Sequence, residues 1–349
     1  METFHSIYKK LFNSGSWKYY HNMNFDQFPF SDEAIANRFV NNYFNTGNKF
    51  AVIDPTLNYD RFKNIHTLST FFLGLFLKEI VLETQTHKPK FEYFWYLCCL
   101  YHDYGYYIEN DKNRFPPDEY SLSRLKSNLK ITNNGLHDFQ EDPHSSCVVK
   151  NYFNYCRKKR HFLNHGIIGG LLLYDRLIKN LNKAIRAAKS NAKSDNLPFD
   201  KTDFSYKGLH WSSDHIDWYK HIASIIIAHN IWFCTEEEDL ELYTRSGLID
   251  LIIINHHEKR LKKKEHGLLF LLCLADTIEP SKHFSQLQPL CVFDKMRIDY
   301  DHIKQIIILE IIDNCLDYDG WFKKIESLEK WMAVEVTIDG ARIKIEIHE

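Results

Sequence analysis

Between Phe91 and Tyr104 the chain is apolar or aromatic around nearly the whole circumference of a helical projection, yet the stretch closes on His102-Asp103. A helix without a polar face has no stable place at a surface, so this one is expected to be buried inside other helices. Further helices are expected from His66 to about Thr84, strongly apolar, from His165 to Ala188, from Trp218 to Phe233 and, buried, from Leu268 to Thr277. The fold is therefore expected to be mainly α, a helical bundle. A chain of 349 residues can bury a large core. With 15% aromatic residues, ring packing should supply much of it.

Punctuation along the chain divides it. Residues 1–60 read as an aromatic-rich helical lead-in, with a helix expected from Ser31 to Tyr43 and Ser31 as its cap. Residues 61–285 hold the apolar helices. Polar insertions are expected at about 108–160, where Pro116-Pro117 and Asp142-Pro143 mark loops, and at 189–213. Gly105 is placed to end the helix before it, and Gly169-Gly170 to let a neighbour come close. Residues 286–349 form a small α+β appendage. Tyr300 to Asn314 and Gly320 to Trp331 read as helices. The alternation Val334-Glu335-Val336-Thr337-Ile338, then Asp339-Gly340, then Arg342 to Ile347 predicts a terminal β-hairpin.

Bulk properties narrow the partners. A net charge of −2 does not favour a nucleic-acid partner, although local basic runs permit one. No apolar run reaches the roughly 20 residues of a membrane span, so no membrane partner is expected. The opening Met1-Glu2-Thr3-Phe4-His5 lacks the build of a signal peptide. The eight cysteines are scattered without a CxxC pair, several inside apolar runs, as for reduced core thiols. A cytoplasmic location is expected; nothing indicates the oligomeric state.

The chemistry lies in the polar residues set into the apolar helices. His102-Asp103 terminates Leu97-Cys98-Cys99-Leu100-Tyr101, and Asp276 interrupts Leu271-Leu272-Cys273-Leu274-Ala275. His229 closes Ile225-Ile226-Ile227-Ala228. His165 precedes Gly166-Ile167-Ile168-Gly169-Gly170, and His66 opens the run toward Leu68 and Phe71. One histidine at a helix end is commonly just a packed residue, and an isolated aspartate can be a cap or half of an ion pair. A buried carboxylate, however, is expensive unless it is paired or binds a metal. Two aspartates and several histidines on separate apolar helices therefore suggest convergence on a cation. Mixed imidazole and carboxylate ligation suits Fe, Mn, Zn, Ni or Co.

The ordered set resembles the HD superfamily of metal-dependent phosphohydrolases. Leu100-Tyr101-His102-Asp103-Tyr104-Gly105 resembles the apolar-His-Asp-x-Gly segment of that superfamily. Asn164-His165-Gly166-Ile167-Ile168-Gly169-Gly170 resembles its His-Gly-x-x-Gly helix start. Ala275-Asp276-Thr277-Ile278-Glu279-Pro280 is similar to the ending found in bacterial HD-type dinucleoside tetraphosphate hydrolases. The resemblance spans roughly residues 60–285 and neither terminal segment. It implies that residues 61–285 are an HD domain in which His66, His102, Asp103 and Asp276 hold a first metal. Asp103 would bridge, and His165 and His229 would hold a second. Two divalent transition metals are thus implied, acting on a small phosphate-containing substrate such as a nucleotide or dinucleotide. Members of the family often carry His-Asp-x-Gly-Lys, and here Tyr106 stands at the lysine position, so positive charge toward phosphate must come from elsewhere or be absent.

Lys63, Arg160 and Lys282 are candidates for that charge, and Asn230 for positioning substrate or water. His161, four residues before His165, would share a helix face with it if the helix began early, and is a candidate proton donor. The alternative for Arg157-Lys158-Lys159-Arg160 and for Lys259 to Lys264 is a solvated face. His137 and His144 could lie in a lid, and His256-His257 read as surface. Two other functions fit the same set: a phosphodiesterase or nuclease for cyclic dinucleotides or single-stranded nucleic acid, and a catalytically weak nucleotide-binding sensor.

Overall fold

In a computed structural model of the chain, residues 1–18, 24–44, 61–82, 91–133, 148–206, 209–230, 237–248, 260–284, 286–313 and 318–348 are described. The expected mainly helical architecture is present, with a small antiparallel sheet near the C-terminus. Strand β1 (Glu2–Thr3) leads directly into α1 (Phe4–Ser14), whose first turn is capped by Thr3 accepting from the Ser6 N–H. Helix α2 (Glu33–Phe39) is capped by Asp32 rather than Ser31. The carboxylate of Asp32 faces two free N–H groups, those of Ala34 and Ile35, which one hydroxyl satisfies less well.

The centre is built from α3 (Arg61–Val81) and α4 (Phe91–Tyr101), followed by the short α5 (Tyr106–Glu109) and by α6 (Leu122–Asn128). Helix α4 is buried along its length, as its uniformly apolar sequence requires. It ends at Tyr101, ahead of the expected Gly105. The 148–160 stretch, expected within a polar insertion, is largely π-helical and buries Tyr152, Phe153, Tyr155 and Cys156.

Helix α7 (His165–Ser194) runs past its expected end at Ala188 into the second polar stretch. The remainder of that stretch carries a two-stranded hairpin, β2 (Asp203–Tyr206) with β3 (Leu209–Ser212). Helix α8 (His215–Ala228) packs against both α7 and α4, and α9 (Glu237–Arg245) follows. Gly169 and Gly170 allow this contact: a Cβ at Gly169 would stand 2.4 Å from the Tyr101 carbonyl oxygen, and one at Gly170 2.7 Å from that of Ala223. Helix α10 (Lys263–Ile278) lies against α3 and closes the bundle.

The C-terminal region departs from its sequence reading at one place. Tyr300 to Asn314, expected to be helical, instead holds the end of β4 (Met296–Asp301) and all of β5 (Ile306–Ile311), reached after α11 (Pro289–Asp294). Ile306-Ile307-Ile308-Leu309 is rich in β-branched residues, whose restricted χ1 suits a pleated surface. Pairing with β4 on one side and β7 on the other fixes it as a central strand. The expected hairpin is present as β6 (Val334–Asp339) and β7 (Arg342–Ile347), after α12 (Asp319–Glu326). Gly340 takes the positive φ its turn needs. Sheet order is β1-β4-β5-β7-β6, so the N-terminal strand borders the C-terminal sheet. One face of the sheet buries Met296, Ile298, Ile307, Leu309, Ile343 and Ile345.

Rings fill the junction between the two chain ends. Tyr8 in α1 packs against Phe4, Phe30, Phe72 and Phe293, with centroids 5.2–6.0 Å away. Cys98, Cys99, Cys156 and Cys273 are buried thiols, matching the expectation of reduced core cysteines. Among the described residues no helix is long and apolar enough to cross a membrane.

Candidate metal centre

The ends of five apolar helices meet at one point. His66 comes from the first turns of α3, His102 and Asp103 from the turn just past α4, and His165 from the first residue of α7. His229 follows the last residue of α8, and Asp276 lies near the end of α10. All four histidines are buried. Their ligand atoms form two groups that share one residue, His66-His102-Asp103 and Asp103-His165-His229. Within each group these atoms lie within 4.8 Å of one another.

Each ring is held at its Nδ1. His66 Nδ1–H donates to Glu279 Oε2 at 2.6 Å, and His102 Nδ1–H to the Cys99 carbonyl at 2.9 Å. His165 Nδ1–H donates to Glu109 Oε2 at 2.9 Å, and His229 Nδ1–H to the Ile226 carbonyl at 2.6 Å. An acceptor at Nδ1 selects the tautomer whose Nε2 lone pair is open, the orientation metal-binding histidines adopt. The Nε2 atoms of His66 and His102 lie 3.3 Å apart. Two lone pairs at that distance repel unless a proton or a cation lies between them. Ligands bonded to one cation at about 2.1 Å stand about 3.0–3.4 Å from each other. The nearest Asp103 oxygens are 3.7 Å from the Nε2 of His66, of His102 and of His165. Asp276 Oδ1 is 2.8 Å from His66 Nε2 and 3.8 Å from His102 Nε2.

The charges fit the same picture. Burial favours the neutral ring of His66, and nearby Lys282 does likewise. Its bonds to Asp276 and Glu279 outweigh both and raise the ring to about 9. Without a metal, a proton on Nε2 thus stands where a cation would. Burial dominates at His229 and lowers it to about 3; it also lowers His102. Burial alone would raise Asp103, but the charges of His102, His66 and His165 hold it below its usual range. Asp276 is likewise held low against its burial, chiefly by Lys282. The buried His/Asp groups could therefore hold a metal ion: donor set, tautomers and spacing all suit one.

The remaining sequence candidates fall in different places. Lys282 reaches the site, its Nζ 2.8 Å from Asp276 Oδ1. Asn230 does too, with its side-chain amide 3.1 Å from His165 Nδ1. His161 does not share a helix with His165. Asn164 caps α7 through the Ile167 N–H and so starts the helix after His161, which has φ 54° and a side chain 69% exposed, 3.4 Å from Asp118. That placement takes His161 off the helix face that carries His165. Arg160 is exposed at the end of the π-helical stretch, near the tyrosines Tyr152, Tyr155 and Tyr243. The side chain of Lys63, and His137, His144, His256 and His257, lie outside the described residues.

Three residues at the site were not singled out as site residues by sequence. Glu279 lies three positions after Asp276 in an otherwise apolar stretch, a usable signal of a second inward carboxylate. Glu109 comes from a polar segment and carried no such signal; its Oε2 also accepts the His165 backbone N–H at 2.7 Å. Tyr106 stacks on the His165 ring with centroids 3.6 Å apart. Comparison with protein-family models, curated proteins and solved structures finds no match to this chain.

Proposed function

We propose that the protein is a metal-dependent phosphohydrolase similar to the HD superfamily, cleaving a phosphoester or phosphoanhydride of a nucleotide or dinucleotide. The observation that carries this reading is the inward turn of the Nε2 atoms around a shared Asp103, with every Nδ1 held by an acceptor. A residue shared by two ligand groups supports two cations side by side. His66, His102, Asp103 and Asp276 would hold one, and Asp103, His165 and His229 the other. When bound, such a pair supplies Lewis acidity and a water nucleophile at neutral pH.

The chain's own residues do the rest. Glu279 and Glu109 hold the His66 and His165 rings in orientation through carboxylate bonds. Lys282 shares Asp276 and offers positive charge to a phosphate, partly filling the role left by Tyr106. The Tyr106 ring covers one face of His165, which keeps bulk water from that imidazole. Burial, followed by the nearby charges of Asp103 and Glu109, raises the Tyr106 hydroxyl far above its ordinary range, so it remains a neutral donor.

Elemental analysis of the purified protein, followed by hydrolysis assays on mononucleotides, dinucleoside polyphosphates and cyclic dinucleotides, tests the reading. Metal-dependent release of phosphate or nucleotide is expected, and Asp103→Asn should abolish it together with metal retention. Full metal content and full activity in Asp103→Asn would sink the proposal. Tight nucleotide binding without turnover would mark the protein as a sensor instead.

A further inference from the structure

Two of the inward-turned histidines stand at helix ends that touch. His165 opens α7 and His229 follows the last residue of α8, with ring centroids 5.5 Å apart. The two ends meet at Gly166, where a Cβ would stand 2.9 Å from the Ile226 carbonyl oxygen and 3.1 Å from His229 Cε1. The first N–H groups of a helix have no partner within it, and Asn164 supplies one. Its Oδ1 accepts from the Ile167 N–H at 2.9 Å, while its Nδ2 donates to the Asn230 carbonyl, just past α8, at 3.4 Å. Asn164 is wholly enclosed, at 0% exposure. Tyr152 Oη donates to the same carbonyl at 3.4 Å, and Cys273 Sγ lies 3.7 Å from the neighbouring His229 carbonyl. With its main chain held in this way, Asn230 lays its side-chain amide 3.1 Å from His165 Nδ1. That nitrogen carries the proton that Glu109 accepts, so the amide oxygen is the end that serves it; a half-turn of the amide exchanges its two ends in place. Each asparagine thus reaches from one histidine-bearing helix end to the other.

We propose that Asn164 and Asn230 form a reciprocal bracket that fixes His165 against His229 and thereby governs retention of the second cation. The inference rests on the two-cation reading above. Its physical content is positional. Metal–ligand distances tolerate only about 0.2 Å, and two helix ends that are not tied together can slide further than that. Among the described residues, no hydrogen bond of either asparagine runs to His66, His102 or Asp276, so the first cation should be indifferent to the bracket. Asn230 touches a ligand directly, and outer partners of that kind are worth about 10–100-fold in metal affinity. Asn164 acts through the main chain of Asn230 and should be worth less.

The test uses the full chain and Co2+ alone, titrated against a competing chelator and followed by visible d–d absorption. Wild type should take up two equivalents. Asn230→Ala should weaken the second about 10–100-fold, alter its d–d bands and leave the first unchanged. Asn164→Asp separates the bracket from the cap: aspartate caps a helix as well as asparagine, yet it offers no N–H to the Asn230 carbonyl. It should weaken the second equivalent several-fold and again spare the first. Adding Asn164→Asp to Asn230→Ala should change little, since residues acting through one another are not additive. Asn230→Ala remains informative if Asn164→Asp does not fold. Were the asparagines only supports of the fold, the variants would lower the urea midpoint of the metal-free protein and leave both Co2+ affinities at wild-type values, or weaken both equally. Either result would overturn the bracket while leaving two cations in place. A wild-type protein that takes up one Co2+ or none overturns the two-cation reading itself, and the bracket with it.

Discussion

Replacing Gly105 by alanine sets two opposing effects against each other. Gly105 has φ −72° and ψ −12°, a conformation open to any L-residue, so alanine carries no backbone strain there. Restricting the unfolded chain would by itself stabilise the protein by about 0.4–1 kcal/mol. Against this, the new Cβ would stand 2.2 Å from the His165 carbonyl oxygen and 2.8 Å from its Cα. The shortfall from ordinary contact at 3.4 Å is about 1.2 Å, and it is met by backbone, which cannot rotate away. Overpacking of this kind costs about 1–3 kcal/mol, so the steric effect should win and lower stability by about 1–2 kcal/mol. The start of α7 has to move away from the 103–109 turn that carries both Asp103 and Glu109. Metal-ligand bonds tolerate about 0.2 Å, so a shift of the order of 1 Å takes His165 out of its group. We expect Gly105→Ala to hold one metal fewer than wild type while His66, His102 and Asp276 keep the other. Elemental analysis gives the stoichiometry and urea unfolding the stability. A variant as stable as wild type, with full metal content, would refute both the steric reasoning and the shared-site geometry.

Further predictions concern charge. Metal-free His66 titrates at about 9, so metal uptake at pH 8 should release about one proton from it, and affinity should rise with pH up to about 9 and then level; calorimetry in buffers of different ionisation enthalpy reads this directly. The same shift stabilises the metal-free fold below the unfolded value of about 6.5 and is lost as pH rises through 9. His229 and His283, lowered to about 3 and 4 mainly by burial, act in the opposite sense. Their contribution is present above about 6.5 and lost as pH falls below it. Urea midpoints of the metal-free protein should therefore peak near pH 6.5, and a midpoint rising steadily from pH 6.5 to 9 would contradict the His66 assignment. Lys282→Met removes a cation 2.8 Å from Asp276 Oδ1, and should tighten metal binding while slowing turnover of a nucleotide substrate; equal losses in both would show that Lys282 only supports the fold.

Much of this molecule is legible in short windows of its sequence. A helix apolar on all sides, such as Phe91–Tyr101, has to be buried wherever it lies, and a polar residue at its end has to face something specific. His66, His102, Asp103, His165, His229 and Asp276 stand out on those grounds, because burial is set by local composition. The Asp339-Gly340 hairpin is equally local, since two residues dictate its turn.

Other features depend on partners far along the chain. Ile306–Ile311 reads as part of a helix in isolation, and pairing with β4 and β7 makes it a strand. The orientation of His66 depends on Glu279, 213 residues away. Glu109 meets His165 across 56 residues. His161 shows the converse: its spacing to His165 suggests one helix, but the Asn164 cap starts that helix too late. Composition and periodicity determined which side chains had to leave water. Only the packing of α1, α3, α4, α7, α8 and α10 decided which of them meet, because hydrogen-bond direction and ligand distance are properties of the assembled core.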